Sequence, residues 1–336
     1  MAKAHSNSAG KITIQSVADL AGVSIATVSR VLSGNLNVRE DFIQKVRDAA
    51  ATLNYTPSAS AQGLAKGRNF TVGILVPDLS NPYFPDVVKG IHNLSTPSNY
   101  RLLIADSDGT PEDEISIIRD MLRQVDGIIL ISPRMSIDDL KSLENAQSPV
   151  VLINRMEPGV GLPSVGVDNF SAMSELIGHL ASLGHKRIAF LSGPKESWQQ
   201  RERGRAVLHA SNFGISVEEI TTGGSISDGV HALDIAMKSK PTAAICFNDL
   251  VALGVLSRAA ELGIRIPEDL SVTGFDDIEF SSFSNPTLTT IRSPQIALGE
   301  AAWKILEGEL SGKAGNHQPL MGAQVVIRNS TGKSRK

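Results

Sequence analysis

The chain has 336 residues, 41% of them hydrophobic, with a mean hydropathy of −0.01, a balance that fits a soluble globular protein of two or three domains. A single cysteine, Cys246, excludes a disulfide framework within the chain and favours a reducing compartment. The absence of an eighteen-residue apolar run excludes a transmembrane helix, and the opening MAKAHSNSAGK lacks the apolar core of a secretory signal, so the expected location is the cytoplasm. The formal net charge of −3 is unevenly spread. Residues 1–70 carry eight Lys/Arg and four Asp/Glu, a net of +4, and the rest of the chain carries −7. A basic module on an acidic body suits contact with nucleic acid at one end only.

The first elements are two short helices within Ile12–Gly34. Ile14, Val17, Leu20 and Ala21 recur at helical spacing and predict one apolar face. Gly22 then offers the left-handed conformation that a helix end often requires. Ser24 is a candidate N-cap for a second helix buried through Val28, Val31 and Leu32. Ala26, Ser29, Arg30 and Ser33 point away from that stripe, with Ile25 on the margin. Such a small, hydroxyl-bearing face with one arginine can lie in a DNA major groove. There Arg pairs with guanine, Ser or Thr binds phosphate or a base edge, and Ala or Ile touches a thymine methyl. The bland alternative is a helical hairpin with a solvated face.

Asn37-Val38-Arg39-Glu40 has capping-box spacing and predicts a third helix to about Leu53, apolar through Phe42, Val46, Ala49 and Leu53. Pro57 ends it, because the residue before proline is pushed out of the helical region. Ser58–Gly67 is Ala-rich with Gly63 and Gly67, too short to be a stable helix alone.

From Phe70 onward short apolar strands alternate with amphipathic helices. Strands are predicted at 72–76, 102–105, 127–131, 150–153, 188–191, 243–247, 270–274 and 324–327. Helices are predicted at 83–95, 111–124, from 169 to 183, to 212, 231–239, 250–262 and 295–310. The rhythm restarts once after Asp168, which predicts two doubly wound parallel sheets with a ligand cleft at their carboxyl edges. Residues just after the strands form a polar collar containing Asp78, Asp106, Asn154-Arg155, Asp168-Asn169, Ser192, Asn248-Asp249 and Asp276-Asp277. It suits a polyhydroxylated or otherwise polar ligand, with Tyr83, Phe84 and Trp198 as stacking walls. Several of these, Asp168 and Asp249 among them, serve equally well as helix caps.

An enzyme is a weak rival. The turn after the first strand reads PDLSNPYF rather than G-x-G-x-x-G, and neither a G-x-S-x-G elbow nor a Walker A loop occurs. No histidine has zinc-like spacing with Cys246, so neither a cofactor nor a metal is expected. A transport binding protein would need export and would leave residues 1–70 unexplained.

The run AGVSIATVSRVLSG, followed by NVRE and LNYTPSASAQGLAKG, resembles the headpiece of the lactose-repressor (LacI/GalR) family of bacterial transcription regulators. VPDLSNPYF, VDGIIL, PSVGVDN, LGHKRIAFLSGP, CFNDLVALG, IPEDLSVTGFDDIEFSSFSNPTLTTIRSP and VIRNST extend the resemblance through the effector domain. The resemblance implies an all-α helix-turn-helix headpiece (1–57), a hinge helix (58–69) and a two-lobed periplasmic-binding-protein-like α/β domain (70–331) for effector binding and dimerisation. The first lobe would span about 70–168 and 293–322, and the second about 169–292 and 323–331. The closing 332–336 would be a tail, and the segment from Ser330 disordered.

The resemblance implies DNA contacts at Thr13, Ser24, Ile25, Ala26, Thr27, Ser29, Arg30, Asn37, Tyr55, Ser58, Ala61, Leu64 and Ala65, with Leu64 wedged between base steps. Effector contacts would come from Asp78, Tyr83, Phe84, Ser197, Trp198, Arg201, Asn248 and Asp276. The residues alone leave open which of Arg201, Arg203 and Arg205 turns inward, and the resemblance points to Arg201. The implied partners are a palindromic operator duplex, a sugar-like small molecule and a second copy of the chain, with no membrane. Because no heptad extension follows, the expected assembly is a homodimer.

Overall fold

The computed structural model describes residues 12–32, 38–55, 68–313 and 320–335. They fall into two compact units divided between Phe70 and Thr71.

The first unit holds helices α1 (Ile14–Ala21), α2 (Ile25–Leu32) and α3 (Glu40–Thr52). Gly22 caps α1 at φ 65°, and its N–H reaches Ala18 O. Val17, Ala18, Ala21, Val28, Val31, Val46, Ala49 and Ala50 make the core. Two expectations are corrected. Leu20 is 53% exposed, because at 100° per residue Val17, Ala18 and Ala21 already fill the inner face. Helix α3 starts at Glu40 with Arg39 as its cap, later than an Asn37 capping box requires. Phe42 consequently stays half-buried under the Arg39 guanidinium, 4.9 Å from its ring centre, and Ile43 packs on the core instead.

In the second unit, β1 (Thr71–Val76), α4 (Tyr83–Ser95), β2 (Arg101–Asp106), α5 (Pro111–Met121), β3 (Gly127–Ile131), α6 (Ile137–Ser142), β4 (Val150–Ile153) and β5 (Ser164–Val165) build one parallel sheet ordered β2-β1-β3-β4-β5. Next come α7 (Asn169–Ser182), β6 (Arg187–Ser192), α8 (Trp198–Leu208), β7 (Ser216–Thr221), α9 (Ile226–Ala236), β8 (Ala243–Cys246), α10 (Asp249–Glu261) and β9 (Ser271–Thr273). They build a second parallel sheet, β7-β6-β8-β9. After α11 (Phe280–Phe283), β10 (Thr290–Arg292) pairs antiparallel with β11 (Gln324–Val326). Between those two strands α12 (Gln295–Leu310) returns to the first sheet and crosses α4. That crossing is nearly bare backbone: a Cβ on Gly90 would stand 2.1 Å from Ile296 O, and one on Gly299 2.1 Å from Val87 O.

The central strands are buried along their length, as expected for a sheet covered on both faces. The edge strand β7, SVEEIT, escaped the sequence pattern because it is mostly exposed and its apolar residues are sparse. Helix α9 starts at Ile226, earlier than the apolar pattern suggested, because Ser225 and Asp228 form a capping box.

The closing segment is not a free tail. Ser330 is fully buried, its Oγ donating to Val272 O at 2.6 Å and accepting from Thr289 N at 2.8 Å. Gly332 N donates to Ser271 Oγ at 3.0 Å, the Gly332 carbonyl lies 3.0 Å from His185 Nε2, and Arg335 pairs with Asp269 at 2.9 Å.

Candidate functional site

The first unit presents its polar helix face outward. Ser24, Ile25, Ala26 and Arg30 are exposed, and Thr27 and Ser29 are half-buried. Ser24 caps α2, its Oγ accepting from Thr27 N at 3.2 Å and lying 2.9 Å from Thr27 Oγ1. Thr13 is exposed at the start of α1, its N–H donating to Ser16 Oγ at 3.3 Å. Tyr55 is half-buried against the headpiece core. Asn37, Ser58, Ala61, Leu64 and Ala65 lie outside the described residues.

The second unit holds a cleft at the carboxyl edges of both parallel sheets, where ligands of such folds sit. It is a narrow, partly open space lined by residues that follow strands of both sheets. Asp78, Tyr83, Phe84, Ser197, Asn248 and Asp276 all line it. Tyr83 meets the edge of Phe84, ring centres 5.3 Å apart, and accepts from Asn154 Nδ2 at 2.8 Å. Burial raises the Tyr83 hydroxyl to about 12, so it stays a neutral donor. Ser197 caps α8, and Asn248 caps α10 through Val251 N at 2.9 Å while its amide donates to Gly224 O at 2.9 Å. Asp276 sits at φ 117°, strained for a side-chain-bearing residue, and is held by Asp276 N to Ile291 O at 2.9 Å.

Two expected residues are elsewhere. Arg201 leaves the cleft: its side chain is 43% exposed and ion-paired with Glu157. Trp198 is buried but is not part of the cleft lining. The reason is rotation about α8. Gln199 and Arg203, four residues apart, share the face turned to the cleft, and Arg201 and Trp198 fall off it.

Arg203 is the inward arginine, 4% exposed. Its Nε donates to Asn169 Oδ1 at 2.9 Å, Nη1 donates to Phe247 O, and its Nη2 lies 3.6 Å from Asp276. The guanidinium stands 3.5 Å from the ring centre of Phe275. Burial pushes Asp276 up to about 8, with Arg203 opposing the shift and Asp249 adding to it. Asp249 does not cap its helix; its carboxylate accepts from Ile278 N at 2.9 Å, Ser281 Oγ at 2.6 Å and Thr290 Oγ1 at 2.5 Å. Burial still raises it to about 7.

Asn81, downstream of Asp78 in the expected collar, also lines the cleft, and sequence reasoning missed Ser132, Arg134, Gln199, Gly224 and Phe247 there. The helical spacing of Gln199, Arg203 and Ala206 was the available signal for Arg203. The lobes meet directly through Gln199 Nε2 to Ser132 Oγ at 2.6 Å and Arg155 Nη1 to Glu196 O at 3.2 Å. The Glu157–Arg201 pair adds a third tie.

Residues 13–58 match the bacterial regulatory protein, lacI family, and residues 177–331 match the periplasmic binding protein-like domain. Catabolite control protein A of Priestia megaterium is 34% identical over 303 residues, spanning 88% of this chain and 91% of that protein. The HTH-type transcriptional repressor CytR of Escherichia coli K12 is 32% identical over 327 residues, spanning 95% and 96%. The chain belongs to the lacI family of bacterial regulatory proteins. A chain of the lac repressor dimer bound to operator and the anti-inducer ONPF is similar in fold, with TM-score 0.85 and 28% identity over 96% of this chain and 99% of that one. A lacI-family regulator of Enterococcus faecium with bound ribose aligns with TM-score 0.72 and 26% identity, covering 79% of this chain and all of that one. This family member is therefore a transcriptional regulator rather than an enzyme. Among the described residues no helix is long and apolar enough to cross a membrane.

Proposed function

We propose that this regulator represses transcription from a palindromic operator in the cytoplasm, and that a small polyhydroxylated, sugar-like molecule in the cleft controls its grip. In this reading residues 1–57 read DNA, 58–69 form the hinge, and 70–331 bind the effector and pair two chains. Two copies of α2 each read one half-site, and phosphate contacts from the basic headpiece give salt-dependent affinity. The observation that carries the reading is the cleft: side chains from two sheets converge on it, including the buried Arg203–Asp276 pair. A ligand that touches both lobes binds their two relative positions unequally, which is what control of a distant grip requires. Such coupling is typically about 1–3 kcal/mol and is reciprocal. The operator of one known relative and the ribose of another agree with these partner classes.

The test is operator selection from random duplexes with the full chain, followed by titration with sugars and sugar derivatives. A palindromic consensus whose affinity moves at least five-fold with one compound supports the reading. A protein with no preference over random competitor, with or without the compounds, defeats it.

A further inference from the structure

The two walls of the cleft spend their polar groups differently. On the second lobe, Asn248 and Ser197 are each bonded at both donor and acceptor, and Arg203 is engaged by Asn169, Phe247 and Asp276. On the first lobe, Arg134 stands just beyond the carboxyl end of β3 and lines the cleft, half-buried. Its main chain is pinned: the buried carboxylate of Glu114 accepts from Arg134 N at 2.8 Å and from Met135 N at 2.8 Å. Those backbone bonds occupy the nearest acid.

The guanidinium itself makes one long hydrogen bond, Nη1 to Gly109 O at 3.4 Å, and no described carboxylate forms an ion pair with it. Gly109 is part of the seat, since a Cβ there would stand 2.6 Å from Nη1. A guanidinium has five N–H donors in a rigid fork. Burial works against its charge, with Glu114, Asp78 and Glu196 supplying only longer-range attraction. A cation half-withdrawn from water and short of acceptors is a cost that a bound anion removes through charge-assisted, bidentate bonds.

The charge balance of the cleft agrees. Two guanidiniums, Arg134 and Arg203, face two carboxyls, Asp78 and Asp276. Burial holds Asp276 up to about 8, so near neutrality it is largely protonated. Asp276 and Asp78 nonetheless remain hydrogen-bonding partners for hydroxyls.

Resting on the reading of this cleft as the effector site, we propose that the effector is a polyol bearing one anionic group, carboxylate or phosphate, and that Arg134 is the residue that selects for it. The polyol meets the Asp78, Asp276 and aromatic wall, and the anion takes the spare fork of Arg134.

The experiment uses the full chain and the variants Arg134→Gln and Arg134→Lys. Calorimetry compares ribose with ribose 5-phosphate, and glucose with glucose 6-phosphate and gluconate. Thermal unfolding compares inorganic phosphate with chloride at equal ionic strength. The expected result is at least ten-fold tighter binding of an anionic compound than of its neutral counterpart, and a higher unfolding temperature in phosphate. Both effects should vanish in Arg134→Gln and partly survive in Arg134→Lys. Neutral sugars binding as well as or better than their anionic partners would overturn the charge selection while leaving effector control of the cleft standing. An anion preference unchanged in Arg134→Gln would remove the role of this residue. If no sugar of either kind binds and phosphate has no effect, the anionic class and the sugar-like reading fall together.

Discussion

The two units of this regulator put their chemistry on opposite sides of their cores. Among its described residues the first fully buries only alanine and valine, with Ile14, Ile43 and Tyr55 packed at the margin, and turns its candidate reading side chains outward on α2. The second buries Trp303, Phe190 and Phe275 and keeps its candidate ligand groups inward, where Arg203 and Asp276 shape each other. An outward face tolerates change without disturbing the fold. An inward one is part of the fold's own energetics, so a lesion in the cleft is also a lesion in stability.

Substitutions aimed at one unit should therefore leave the other's signature intact. The largest effect is expected for Gly299→Val. Its side chain would collide with the α4 backbone and force two helices apart, at a cost of at least about 3 kcal/mol, the upper range for overpacking. Calorimetric scanning should show the second unit melting earlier while headpiece helicity persists; an unshifted transition would mean the helices are not in backbone contact. Arg203→Ala follows, at about 3 kcal/mol, because it strips Asn169 and the Phe247 carbonyl of a buried partner. Denaturant unfolding measures it, and a change under 1 kcal/mol would place Arg203 outside the interior.

Arg30→Ala should cost about 2 kcal/mol of operator binding and relax preference at one base pair, with sugar binding of the free protein untouched. Loss of ligand affinity in that variant would contradict the division of labour. A pH dependence of stability is expected from the second unit. Asp276 moves from 3.8 to about 8 on folding, so between those values the folded state holds a proton that the unfolded chain has released. Its contribution is fully present below about pH 4 and is lost as pH rises through 8, with a slope of up to about 1.4 kcal/mol per pH unit per proton. Asp249 adds in the same direction. Asp276→Asn should flatten part of that slope in thermal melts from pH 5 to 8.5; an undiminished slope would assign the proton elsewhere. Smallest is Arg201→Ala, under about 1 kcal/mol of stability, since Arg201 is itself nearly half exposed and the buried Glu157 keeps its pair with Arg155 at 2.6 Å. A loss matching that of Arg203→Ala would reverse the roles given to the two arginines.

The same inside–outside contrast explains what the sequence disclosed. The alternation of strands and helices was legible because central strands are apolar throughout, and Tyr83–Ser95, Gly127–Ile131 and Gln295–Leu310 have the bounds their patterns predicted. The edge strand β7 was hidden because solvent faces most of its side chains. In the cleft, motif position placed Tyr83, Phe84, Ser197, Asn248 and Asp276 among the lining residues. It failed on α8, where a difference of two residues turns a side chain by about 200° and only the packing of the helix decides which arginine is inside. Arg134 was passed over because a polar residue after a strand looks like any loop residue until its neighbours are known to be engaged elsewhere.

The glycine crossing of α4 and α12 has a consequence for synthesis. Gly90 leaves the ribosome long before Gly299, and at about 5–20 residues per second the interval is roughly 10–40 s. Throughout it the apolar side of α4, with Val87 and Ile91, has no sister helix to shelter it, whereas the second sheet has all its strands in hand before α12 emerges. The first sheet, though translated first, thus waits for a covering helix made after every strand of the second sheet. A nascent chain arrested before α12 would display a sticky furrow that invites chaperone capture or proteolysis.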